Sequence, residues 1–330
     1  MSSTKRRAAA ACLVLSVGTA LAGCSANPSS KTSSNEPSST PAGRTLKTAT
    51  FVSLLPTYPT WKRVGQCMSD EATANGVKLT VTGPTGGAPD PAVMIQQVQQ
   101  AVANKADAII TVPATEAFGP VLKQAQAAGI FTGTILGSGL PDSGADINLG
   151  IDFAKIATAQ IASISARPGQ QNLGLIAAGA SGIGKQWLDA IKAAAATTSN
   201  VKIVGEVYTG DVAAKALDQV NALLTTHKEI NVIASHMGTV TPGAVASIKA
   251  KKLVGKVALE ANGSGNGGKE ALAEGTAVGL LMADYCSIGK SLMSAIVMKA
   301  KGETPPPVDL NFKIVSTPAE ATSLLADGWE

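Results

Sequence analysis

Two histidines, four cysteines and two glycine-rich runs are the residues of this 330-residue chain that first invite a chemical reading. His227 falls in the last turn of an expected helix, where a solvated imidazole is favoured by the helix dipole. His236 has no partner histidine or acid at catalytic spacing. The chain holds no Gly-x-Ser-x-Gly elbow and no His/Cys/Asp cluster with metal-ligand spacing. Gly184-Lys185-Gln186 lacks the Ser or Thr that follows the lysine of a phosphate-cradling loop. Gly263-Ser264-Gly265-Asn266-Gly267-Gly268 does fit Gly-x-Gly-x-x-Gly, with Asp284 about 20 residues on. It lies late in the chain, outside the first strand–helix unit, so a tight turn in which glycine supplies positive φ is the better reading. The residues offer recognition rather than bond-making, and neither a cofactor nor a metal is expected.

Cys24 has a different meaning. It follows Leu21-Ala22-Gly23, an apolar run from Ala8 to Leu21, and the basic cluster Lys5-Arg6-Arg7. A Ser/Thr/Pro-rich stretch, Ser25 to Thr45, comes after it. This order is that of an export signal, a cleavage site and a stalk. A Cys at this place resembles the lipobox of bacterial lipoproteins, whose Cys is acylated and becomes the mature N-terminus. An ordinary secretory signal with an incidental Cys is the alternative. The apolar run is shorter than the roughly 18 residues a membrane span needs, so lipid is the expected anchor. The stalk should remain unstructured, with a mean reach of about 25 Å. Removing Lys5, Arg6 and Arg7 lowers the formal charge of +4 to about +1, which excludes a charge-driven nucleic-acid partner. Of the four cysteines, Cys12 lies in the signal and Cys24 is the lipid site. Cys67 and Cys286 remain, and both a disulfide and two separate buried thiols fit them.

From Leu46 short apolar runs alternate with helical stretches. Strands are expected at Leu46–Leu55, Val77–Val81, Ala108–Val112 and Ile130–Ile135, with helices at Trp61–Asn75, Asp90 to about Asn104, and Thr115–Ala128. The rhythm restarts with strands near Leu173–Ala177, Val201–Val207, Val232–Ser235, Lys256–Glu260 and Ala277–Met282. Helices near Gln186–Ala196, Val212–His227, Thr241–Lys251, Lys269–Glu274 and Ile288–Lys301 alternate with them. Such alternation predicts α/β architecture, with two doubly wound, Rossmann-like parallel sheets and a ligand site at the strand ends.

The first block reads Phe51-Val52-Ser53-Leu54-Leu55-Pro56-Thr57-Tyr58-Pro59-Thr60-Trp61, then Asp107-Ala108-Ile109-Ile110-Thr111-Val112-Pro113-Ala114-Thr115, then Ala127-Ala128-Gly129-Ile130. With Leu149-Gly150-Ile151-Asp152 and the helix around Gly289, it resembles the ribose-binding-like, type I periplasmic solute-binding proteins of ABC importers. The resemblance implies two lobes joined by three crossings, near Gly150–Asp152, Ala283–Asp284 and Pro305–Val308. Residues 1–23 would be the signal and 24–45 the lipidated N-terminus and stalk. Lobe 1 would hold 46–150 plus 284–306, and lobe 2 would hold 151–283 plus 307–330. It implies a small-molecule ligand, an ABC permease as partner, an extracytoplasmic location on the lipid anchor, and no catalysis. It also places Cys286 in the same lobe as Cys67, which favours a disulfide. A ligand sensor docking on a receptor kinase is the alternative, and an exported enzyme on the same fold a remote one.

The departures from the family bear on the ligand. Where its members place Asn, Asp, Arg and Gln to read sugar hydroxyls, this chain aligns Val112, Leu136-Gly137, Trp187, Met237-Gly238 beside His236, Asn262 and Ala283. Tyr58 and Trp61 keep the aromatic part of the first turn. The ligand implied is a sugar or sugar-like molecule, less hydroxylated than glucose: aromatic, a deoxy-sugar or a polyol. The other reading has neighbouring polar residues, Asp90, Thr115, Glu116, Asp152 and Asp284, reading the hydroxyls.

Overall fold

A computed structural model describes residues 43–135, 144–210, 212–307 and 310–330. Two sheets organise them. The first has the order β2-β1-β3-β4-β5, built from β1 (Thr48–Val52), β2 (Lys78–Thr82), β3 (Ala108–Thr111), β4 (Phe131–Ile135) and β5 (Ile147–Leu149), all parallel. Helices α1 (Pro59–Ala74), α2 (Pro91–Ala103) and α3 (Phe118–Ala127) make its crossovers. Every residue of β3 and β4 is buried, as strands covered on both faces must be.

The second sheet has the order β11-β10-β9-β8-β6-β7. Its strands are β6 (Gln171–Ala177), β7 (Val201–Tyr208), β8 (Val232–Ser235), β9 (Ala258–Asn262), β10 (Ala277–Ala283) and β11 (Phe312–Val315). Helices α4 (Phe153–Ser165), α5 (Gly182–Ala196), α6 (Ala213–Thr226), α7 (Thr241–Ala250), α8 (Gly268–Ala273) and α10 (Pro318–Ala326) belong with it. The sheet departs from the all-parallel expectation at one edge, where β11 runs antiparallel to β10. Four elements were not read from the sequence: β5, α4, β11 and α10. The strands have only three and four residues, too few for a period to show. Helix α4 did carry a signal, since Phe153, Ile156, Ile161 and Ile164 share its buried face behind the Asp152 cap. Helix α10 opens with a capping box between Thr317 and Glu320.

Helix α9 (Tyr285–Lys301) follows the second sheet in sequence but packs on α1, β4 and β5 of the first. Its Ile288, Leu292, Met293 and Ile296 join the core formed by Leu46–Leu149. The approach of α9 to α1 requires Gly289, where a Cβ would stand 2.5 Å from the Val64 carbonyl oxygen. One turn away, Cys67 and Cys286 form a disulfide, with Cα atoms 5.3 Å apart across 219 residues of chain. No helix among the described residues is long and apolar enough to cross a membrane.

Glu260 lies within the second sheet, fully buried between Gly279 of β10 and α4. Ser163 Oγ donates to its Oε2 at 3.0 Å, while Oε1 has no partner. Burial pushes its carboxyl up to about 8, against the weaker opposing effects of Ser163 and Arg167.

Two predictions follow from this architecture. The double variant Cys67→Ser/Cys286→Ser should lose about 2–5 kcal/mol of stability, because the bridge closes a very long loop; urea unfolding checks it. Folded Glu260 keeps a proton that the unfolded chain releases, so stability is full below pH about 4.5 and declines as pH rises toward 8. The urea midpoint of the wild type should therefore fall from pH 5 to 8 more steeply than that of Glu260→Gln. Parallel curves would exclude a neutral Glu260.

Candidate functional site

The C-terminal ends of strands from both sheets converge on one cavity of about 150 Å³. The turn after β1 supplies Leu54, and Tyr58, Thr60 and Trp61 come from the start of α1. Ile151 and Phe153 follow β5, Ala178 and Ile183 follow β6, and His236, Met237, Gly238 and Thr239 follow β8. Asn262 and Gly263 end β9, and Tyr285 begins α9. Convergence at strand C-termini is the geometry expected of doubly wound sheets.

The local structure shows why these side chains face inward. Pro59 fixes the first turn of α1, leaving Tyr58 as an extended cap that lines the cavity. The Tyr58 hydroxyl meets the Asn266 side-chain amide. Gly238 leaves the ring its space, because a Cβ there would stand 2.8 Å from the same hydroxyl. Asn262 is 7% exposed. Its main-chain carbonyl accepts from Thr241 Oγ1 at 2.8 Å, and its side-chain amide has no hydrogen-bond partner among the described residues. The amide therefore opens onto the cavity, where a ligand atom or water can meet it.

His236 sits in an aromatic nest. Its ring lies 5.1 Å from that of Trp187 and 6.2 Å, edge-on, from that of Phe153. The Ala178 main-chain N–H donates to His236 Nε2 at 3.4 Å, so the ring proton resides on Nδ1. Burial pushes the imidazole down to about 3. His236 is therefore neutral near physiological pH. Burial, followed by the Glu330 carboxylate, pushes the Tyr285 phenol up to about 12. Asp, Glu, Lys and Arg are absent from the cavity lining among the described residues. The described lining is therefore uncharged near neutral pH, with aromatic walls and a few amide and hydroxyl groups.

Of the residues singled out in the sequence, Tyr58, Trp61, His236, Met237 and Asn262 line this cavity. Trp187 lies one layer behind, fully buried, with Nε1 donating to Gln160 Oε1 at 2.9 Å and its ring against His236. Asp90 caps α2 by accepting from the Ala92 and Val93 amides. Asp152 caps α4 through the Lys155 amide, and Asp284 caps α9 through the Ser287 amide. Thr115 and Glu116 are exposed beyond β3. Leu136 and Cys24 lie outside the described residues. Sequence reasoning missed Leu54, Ile151, Phe153, Ile183 and Tyr285. The signal for two of these was adjacent: each Asp cap turns its carboxylate onto its own helix, and the aromatic residue after it, Phe153 or Tyr285, faces the cavity.

A sequence model of the periplasmic binding protein domain family matches residues 51–304. No curated protein sequence matches the chain. Among solved structures, a glucose-galactose binding protein from Geobacillus stearothermophilus superposes with a TM-score of 0.77 at 18% identity, over 83% of this chain and 98% of that one. An ABC transporter solute-binding protein from Clostridium phytofermentas, with bound L-rhamnose, gives 0.69 at 20% identity, over 78% and 82%. The XylFII-LytSN complex gives 0.73 at 17% identity, over 81% and 97%. At these identities the likenesses establish a shared fold, the type I periplasmic binding protein fold.

The environment of His236 makes one direct prediction. Nitrogen NMR of labelled protein should show it as the neutral Nδ1–H tautomer from pH 8 down to pH 5. Titration near 6.5 would mean that the nest is open to solvent.

Proposed function

The chain belongs to the periplasmic binding protein domain family, and from that premise we propose that it is the extracytoplasmic solute-binding component of an ABC importer, handing a neutral, sugar-like ligand to a permease. The observation that carries the ligand class is the uncharged, aromatic-walled cavity where the two sheets meet. Removing a charged ligand from water in a cleft without counter-charges is costly, so the cleft selects against amino acids, phosphates and polyamines. Its size, about 150 Å³, equals that of an engineered apolar cavity that takes up benzene, which suits one ring. Tyr58, Trp61 and Phe153 offer faces and edges for an apolar ring surface. Asn262, Thr60, Thr239, Tyr285 and His236 offer neutral polar groups for a few hydroxyls. A deoxy-sugar, a polyol or a neutral aromatic ring fits this balance. The rhamnose held by one structural neighbour is a deoxy-sugar, which supports it.

We assign two lobes, 46–150 plus 284–306 and 151–283 plus 307–330. The separation of the apolar clusters supports this: one joins Leu46–Leu149 to α9, and two others cover the faces of the second sheet. Acylation of Cys24 would hold the protein at the membrane by lipid. A second reading, in which the liganded form docks on a receptor ectodomain, draws support from the neighbour solved as a complex with another protein.

A thermal-shift screen of the protein against pentoses, hexoses, deoxy-sugars, polyols and neutral aromatic compounds tests the ligand class. A ligand at a hundred times its Kd should add about 2.7 kcal/mol of stability. Less hydroxylated neutral compounds should shift the melt, and Trp61→Ala should abolish the shift. A shift with glucose or ribose alone would restore the family's usual sugar chemistry, and a shift with a charged solute would refute the neutral-ligand reading.

A further inference from the structure

The run Gly263–Gly268, which imitates a dinucleotide-binding turn in sequence, forms part of the cleft rim. Gly263 and Gly267 take φ of 75° and 85°. Gly265 faces the first residue of α1 and the side chain of Glu330. A Cβ at 265 would stand 2.8 Å from Glu330 Oε2 and 2.9 Å from the Pro59 Cβ. Beside it, the Asn266 amide donates to the Tyr58 hydroxyl at the entrance to α1. Glu330 is itself bound to the end of β10. The Ala283 N–H donates to the Glu330 carbonyl at 2.8 Å, and the Glu330 N–H donates to the Ala283 carbonyl at 3.0 Å. The chain leaves the second sheet for α9 at that residue.

Three groups act on the half-buried Glu330 carboxylate: the Gly265 N–H, the Arg63 guanidinium of α1 and the Tyr285 phenol of α9. Its Oε2 is buried without a well-formed hydrogen bond, so the attraction to the Gly265 N–H is electrostatic. We propose that Glu330, Gly265 and Asn266 form a latch on the cleft rim, which ties the second-sheet lobe to α1 and sets how long a bound solute is retained. The functional part of this rests on the solute-binding reading above, whereas the latch itself exists without ligand. Glu330 acts as a positioning residue, since it lies outside the residues that line the cavity.

Arg63 and Tyr285 are the ionisable groups that face Glu330, while Asp284 is turned onto the Ser287 amide. Burial raises the Glu330 carboxyl more than the Gly265 N–H and Arg63 lower it. A carboxyl that holds its proton more tightly in the latched form is latched more firmly in acid, and the latch loosens as pH rises.

Amide hydrogen exchange on the full chain, without ligand, reads the latch at the Gly267 N–H, which donates to the Ser264 carbonyl at 3.2 Å on the rim, and at the Ala283 N–H. Glu330→Ala removes the carboxyl, and Gly265→Val wedges the rim from the other side. Both should accelerate exchange at Gly267 about five- to tenfold or more and leave β3 and β8 unchanged. Glu330→Gln, which imitates the protonated form, should exchange as slowly as the wild type in acid and lose its pH dependence. Unchanged exchange at Gly267 in both disruptive variants would overturn the proposal. So would acceleration confined to Ala283, which would make Glu330 only a local strap. If Glu330→Ala also loosens β3 and β8, Gly265→Val and Asn266→Ala decide by the same criterion. Failure of the thermal-shift screen would leave this result standing, so the two readings fail separately.

Discussion

Helix α9 is made after the second sheet is complete, yet it must bury its apolar face in the first. Ile288, Leu292, Met293 and Ile296 are each no more than 3% exposed there. Side chains of this kind contribute about 1.5–3 kcal/mol each on burial. That burial fixes where the chain crosses back at Ala283–Asp284, and the crossing fixes the ring of Tyr285 at the cavity. Gly289 and the disulfide act on the same contact from two sides. The glycine permits backbone proximity to Val64, and the Cys67–Cys286 bond prevents α1 and α9 from separating. Tyr58 and Trp61 stand at the N-terminal end of α1, so the α1–α9 pair carries three of the cleft's aromatic rings as one body.

The second sheet meets this body with neutral groups. Its contributions, His236, Met237, Thr239 and Asn262, include no charge at neutral pH, since the imidazole is held deprotonated in its aromatic nest. Selectivity in such a cleft arises from what it cannot compensate. A hydroxyl that enters without a partner forfeits its hydrogen bonds to water, and a charge forfeits far more. The Asn262 amide, which opens onto the cavity without a hydrogen-bond partner among the described residues, supplies polar capacity there.

Much of the architecture was legible because strand–helix alternation depends on short-range patterns. The buried run of β3, the Asp90 cap of α2 and the glycine stop after α1 all appear where local chemistry places them. The short strands β5 and β11 were not legible, since pairing with β4 and β10 makes them strands. The cleft was legible at Tyr58, Trp61, His236, Met237 and Asn262, which lie in strand-end turns. Asp152 and Asp284, read as ligand groups, cap α4 and α9, and the residues that follow them, Phe153 and Tyr285, line the cavity. A capping Asp and an aromatic at the first helical position look alike in a sequence until the helix start is fixed to the residue. Trp187 was displaced for another reason: on α5 its indole packs toward the sheet, and its N–H is satisfied by Gln160 rather than left for the cleft.

The two ends of the first sheet serve separate purposes, and one residue shows the division. At the edge opposite the cleft, Arg44 donates to the Gly129 carbonyl at 2.7 Å, pairs with Asp107 at 2.8 Å, and lies over the Phe131 ring. Burial raises the Asp107 carboxyl, but the Lys47 and Thr48 amides, the Thr48 hydroxyl and Arg44 together bring it below its usual value. Gly43 and Arg44 also donate their N–H groups to the Ala300 carbonyl at the end of α9. Gly43 and Arg44 are thereby pinned at the N-terminal ends of β3 and β4, while the cavity lies at their sheet's C-terminal edge. The two sets of residues share no side chain, so a load at Gly43 is borne by Arg44, Asp107 and the end of α9, at the opposite edge from the rings that line the cavity.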